Sequence, residues 1–122
     1  MSTGTSGISM TLIQSSPTTL SWLAQVKSRV FSQRPQWGYH DSLYYAVFEK
    51  PSGGNSIAQL NVNKKGIRVF LRLYPSVDPD LKSTPASYSY AKWMPSVYFL
   101  RSSADVPKTS DMIIRSGDSY TP

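Results

Sequence analysis

Four side chains of the run Lys64-Lys65-Gly66-Ile67-Arg68-Val69-Phe70-Leu71-Arg72-Leu73 have the chemistry of a binding surface. Side chains alternate across an extended strand, so Lys64, Arg68, Phe70 and Arg72 fall on one face and Ile67, Val69, Leu71 and Leu73 on the other. The second set is what a sheet presents to a core. The first is a row of cations around an aromatic, the combination that holds single-stranded nucleic acid by attracting phosphates and stacking a base. Lys92, Trp93 and Arg101 are expected beside that face, with Gln59 and Asn61 from the neighbouring strand. A competing structural reading buries Phe70 under a second helix and pairs the arginines with Asp78, Asp80 or Asp105.

Catalytic sets are weaker. Acid and base catalysis needs groups within hydrogen-bond reach of the reacting atoms. His40 is the sole histidine and Glu49 the sole glutamate. His40 adjoins Asp41, but neighbours on an extended segment point apart, so the two are read as loop residues rather than a dyad. Asp41, Glu49 and Lys50 come nearest to a metal-dependent hydrolase site, yet a strand would hold the two carboxylates roughly 25 Å apart. Asp78-Pro79-Asp80-Leu81-Lys82 is accounted for by a proline turn capped by aspartates. Gly53-Gly54 lacks the rest of a phosphate-binding loop and reads as a hairpin signal. The chain has no cysteine, which removes thiolate nucleophiles, zinc–thiolate sites and disulfides. No enzymatic activity, metal or cofactor is therefore expected.

With 122 residues the chain has the length of one domain with one core. Its formal net charge is +6, and half of that excess lies in residues 1–40, where Lys27, Arg29 and Arg34 meet no acid. Such a balance suits an anionic partner, or merely a basic surface. No stretch approaches the roughly 18 apolar residues of a membrane span. Residues 1–7 lack the cationic and apolar blocks of a secretory signal. The reading is a soluble cytoplasmic protein whose partner is nucleic acid, or alternatively a second copy of itself, and not a membrane.

The elements that must position these side chains follow from punctuation and periodicity. Residues 1–9 are small and polar and are expected to form a flexible tail before a single domain over 10–122. Ser16 can cap a helix that Pro17 opens, with Leu20, Leu23, Val26 and Val30 as its buried stripe and Pro35 as its end. Residues 36–41 are expected to connect that helix to a strand over 42–49, apolar on both faces. Turn residues at 51–55 lead to a returning strand over 56–62, and Asn63 to Gly66 make a tight polar turn into the cationic strand. After a proline-rich connection, residues 82–92 are expected as an ordered loop. A fourth strand is expected over 93–101, with Val97 and Phe99 alternating against Tyr98 and Leu100. A short helix is expected over 110–116, with Tyr120 folding back.

From Thr18 to Tyr120 this order resembles a family. Its marks are the Tyr44-Tyr45-Ala46-Val47-Phe48 strand, the basic Lys64 to Leu73 strand, Val97-Tyr98-Phe99-Leu100-Arg101-Ser102, and the closing Ile113-Ile114-Arg115-Ser116 with Tyr120. They are similar to a small domain of unknown function described as a predicted transport protein. The resemblance implies an association with nuclease or restriction modules, and through them with nucleic acid. The RNA-recognition signature is matched by Lys65-Gly66-Ile67-Arg68-Val69-Phe70 only in part, because Ile67 stands where its first stacking aromatic belongs. The expected fold is α+β, an N-terminal helix and a short C-terminal helix on a mostly antiparallel four-stranded sheet.

Overall fold

The computed structural model describes residues 11–51 and 56–120. The expected tail over 1–9, and turn residues 52–55, lie outside the described residues. Helix α1 (Pro17–Gln33) opens as its sequence dictates. The Thr19 amide donates to Ser16 Oγ at 3.2 Å and the Ser16 amide donates to Thr19 Oγ1 at 3.0 Å, so two orphan donors of the first turn are satisfied reciprocally. This box turns Thr19 inward. The buried stripe is therefore Thr19, Leu23, Val26 and Val30, while Leu20, expected within it, is 40% exposed.

The chain continues through β1 (Gly38–Asp41), β2 (Tyr45–Glu49), β3 (Ser56–Val62), β4 (Ile67–Leu71), β5 (Lys82–Ser83), β6 (Ser96–Leu100) and α2 (Val106–Ser119). The class is α+β with two helices on an antiparallel sheet, but that sheet has six strands in the order β1-β2-β3-β4-β6-β5, not four. The two additional strands are edges. β1 forms within the expected connector, where Tyr39 pairs with Phe48, and β5 adds two residues beside β6. Such short strands have too few residues for alternation to register.

Helix α2 has 14 residues and begins at Val106, four residues before the expected start. Pro107 does not break it, because the first turn has no amide partner to lose. Ahead of it, the Asp105 carboxylate accepts from the Ser102 amide at 3.2 Å within a capping box.

Both helices cover one face of the sheet. Ile67, Val69, Leu71 and Leu73 face them as alternation requires, joined in the core by Phe48, Leu60, Val62, Leu100 and the α1 stripe. Each such side chain contributes about 1.5–3 kcal/mol by leaving water. A bulge between Phe48 and Glu49 leaves Ile57 without an opposite residue and turns it into the same core as Ala58. Residues 84–94 fold over part of the opposite face. Thr84 closes the base of that segment, its Oγ1 donating to the Met94 carbonyl at 2.6 Å and its amide to the Pro95 carbonyl at 2.9 Å.

Candidate functional site

The face away from the helices carries Arg68 and Phe70 on β4, and Val97 and Phe99 on β6, paired as Arg68 with Phe99 and Phe70 with Val97. The two rows meet different fates. Phe70 is 1% exposed, sealed beneath the covering segment with Met94 and Val97, its ring 5.0 Å from Tyr90 and 5.8 Å from Tyr88. It cannot serve as the accessible stacking aromatic expected of it. Its cover is an irregular segment, not the second helix of the competing reading.

Arg68 remains half-buried at the rim of that cover, donating from Nη1 to the Tyr88 hydroxyl at 3.1 Å. Arg72 lies beyond the end of β4, where its Nε donates to the Ser56 carbonyl at 2.6 Å and its guanidinium stacks on Tyr120 at 4.1 Å. Arg68, Phe70 and Arg72 therefore do not form one exposed surface. Lys92 and Trp93 are exposed on the covering segment, and neither lines the cavity described next.

Three cations do converge. A cavity of about 370 Å³ opens at the start of β4 and the end of β6, lined by Asn63, Lys65, Gly66, Arg68, Phe99 and Arg101 together with Ile67 and Leu100. Its origin is local. Ile67 pairs with Leu100, so Gly66 falls opposite Arg101 on the face shared with Arg68 and Phe99. No side chain rises from Gly66, and a Cβ there would stand 3.2 Å from the Leu100 carbonyl. The Asn63 amide donates to the Gly66 carbonyl at 3.0 Å, closing the turn, and Ser16 Oγ donates to the Lys64 carbonyl at 2.7 Å. The cap of α1 thus pins the turn that carries Lys64 and Lys65.

The lining holds Lys65, Arg68 and Arg101 and no carboxylate. The Arg101 guanidinium carbon lies over the Phe99 ring, 4.9 Å from its centroid, a cation–π contact between two residues of the lining. Asp105 stands across Arg101 in an adjoining depression, its Oδ2 accepting from the backbone amides of Arg101 and Ser102 at 3.0 Å and 3.2 Å. Other acids are committed elsewhere: Asp78 and Asp80 to Lys108, Asp118 to Arg34, and Glu49 to His40. The Asp80 amide and then the Lys108 ammonium hold Asp78 below the usual carboxylate range, and Lys108 is raised in turn by Asp80 and Asp78.

Asp41, Glu49 and Lys50 do not converge. Asp41 pairs with Ala46 and accepts from the Tyr39 hydroxyl, Glu49 pairs with Gly38 at the other end of β1, and Lys50 Nζ donates to the carbonyls of Gly117 and Tyr120. Among the described residues, no three His, Cys, Asp or Glu side chains are grouped to hold a metal ion. No helix of the structure is long and apolar enough to cross a membrane. Of the expected binding residues, Arg68 and Arg101 line the cavity and Lys64 sits on its turn. Sequence reasoning missed Phe99, Lys65 and Gly66 as its partners. The alternation of β6 puts Phe99 on the correct face, but only the register sets it against Arg68.

Comparison of the chain with family models, with curated proteins and with solved structures gives no match.

Proposed function

We propose that the protein is a non-enzymatic binding or accessory module that contacts nucleic acid at the start of β4 and the end of β6. The observation that carries this reading is the cavity lined by Lys65, Arg68 and Arg101 with Phe99 and no carboxylate. Cations converging beside an aromatic are arranged for phosphate and base together. The net charge of +6 adds attraction at long range. The resemblance to a small domain found beside nuclease modules supports the same reading, and a cytoplasmic location accords with it.

Fluorescence anisotropy with a labelled oligonucleotide tests it. Neutralising about three phosphates gives a log–log salt slope of about −2, so affinity should fall about twentyfold between 50 and 200 mM salt. A Lys65→Glu/Arg101→Glu variant, altered only at exposed positions, should lose binding while its thermal melt is preserved. Binding that ignores salt, or no binding, overturns the reading.

A second reading rests on β1. It ends the sheet, and a strand edge can recruit the same edge of a second copy to make a homodimer. Sedimentation velocity decides this: a dimer that persists on dilution supports it, and a monomer at every concentration removes it.

A further inference from the structure

We infer that the cavity between the Asn63–Gly66 turn and β6 receives one unpaired nucleotide unit, its phosphate held by Lys65 and Arg68 and its base laid on the Arg101–Phe99 stack. This rests on the nucleic-acid reading above and narrows it. A volume of about 370 Å³ is near the lower end of small-ligand cavities, the size of a single nucleotide rather than of a groove that follows a duplex. The site is concave, and its stacking surface forms a wall of the cavity. A base inside a duplex keeps both faces stacked on its neighbours, so only a base turned out of the stack can reach that wall.

Arg101 holds its guanidinium over the Phe99 ring, 4.9 Å from the ring centroid, and bases stack on guanidinium and aromatic groups alike without regard to sequence. Lys65 and Arg68 come from either side of Gly66 on the turn and β4, and Phe99 and Arg101 face them from β6, so the phosphate is assigned to one strand and the base to the other. The Asn63 carboxamide also lines the cavity; its Nδ2 donates to the Asn61 carbonyl at 3.5 Å, and its oxygen can accept from a base edge. Arg68 is oriented by the Tyr88 hydroxyl, so the phosphate end is pre-arranged.

The chemistry recognised is that of a nucleoside phosphate, which exists free or as part of a strand. The experiment compares four labelled probes by anisotropy at one salt concentration: a single strand, the same sequence as a closed-ended duplex, that duplex with an unpaired overhang, and adenosine monophosphate. The single strand and the overhang should bind at least about tenfold tighter than the closed duplex. Tighter binding of the single strand than of the mononucleotide assigns the site to strands, and equal binding assigns it to free nucleotide. Phe99→Leu should weaken single-strand binding about tenfold without changing the salt slope, whereas Lys65→Ala, at the phosphate end, should weaken it and reduce the slope by about one. Equal affinity for the closed duplex, or unchanged single-strand affinity in a folded Phe99→Leu variant, overturns this inference and leaves salt-dependent nucleic-acid binding standing. Absence of binding to every probe overturns both.

Discussion

Ser116 shows how much of this chain's apparent motif chemistry is architectural. Its fully buried hydroxyl donates to the Ile57 carbonyl at 2.6 Å and accepts from the Arg72 amide at 2.8 Å. These are the two backbone groups that the β3 bulge and the end of β4 leave without ladder partners. Ser116→Ala should therefore cost about 2 kcal/mol in a urea titration, because both groups stay buried and unpaired. Phe70 gives the complementary prediction. Phe70→Leu should lower the melting temperature while leaving oligonucleotide affinity and salt slope unchanged, since the ring touches Tyr88 and Tyr90 and does not line the cavity. Alternation groups Phe70 with Arg68 and Phe99 with Val97, and the register of β4 with β6 places both rings on one face of the sheet. It has no means of saying which ring an irregular segment will cover. Which of them is covered depends on residues 84–94, whose path is held by Thr84 and the tyrosines and leaves no periodic trace.

At the level of elements, the C-terminal turn of α2 is anchored by side chains from several parts of the chain. Gly117 lies where a Cβ would collide with the Trp37 ring and stand 2.7 Å from Ile57 Cδ1. Lys50 Nζ reaches the Gly117 and Tyr120 carbonyls at 3.0 Å and 3.1 Å, satisfying acceptors that a helix end leaves open. Arg34 adds two bonds to the Asp118 carboxylate. Gly117→Val should cost at least about 2 kcal/mol by forcing α2 off Trp37, read as a lowered denaturation midpoint. Elements were legible where local chemistry is complete within a few residues, as at the Ser16 cap and the strongly alternating β3. They were illegible where partners come from afar: β1 has strand form only through its pairing with β2, and the extra length of α2 rests on side chains buried against the sheet.

Over the whole molecule, the acids set the pH response. Asp78 and Asp118 are both held below the ordinary carboxylate range, Asp78 by the Asp80 amide and then Lys108, and Asp118 by Arg34. A depressed native pKa contributes stability that is fully present above the unfolded value and is lost as pH falls through the native one. The urea midpoint should accordingly be flat from neutral pH to about 5 and decline below about 4, more shallowly in Asp118→Asn. The connection from β4 to β6 governs assembly in time. These strands are neighbours in the sheet, yet roughly two dozen residues separate Leu71 from Ser96, while only a few residues separate β2 from β3 and β3 from β4. Contacts close in sequence form first, so the meander should assemble before β6 docks. Stopped-flow kinetics should then find that Leu60→Ala slows folding, whereas Val97→Ala mainly speeds unfolding. Since Arg68 meets Phe99 only across the β4–β6 ladder, the cavity exists only once β6 has docked, and a chain arrested before that step is collapsed but has no such concavity.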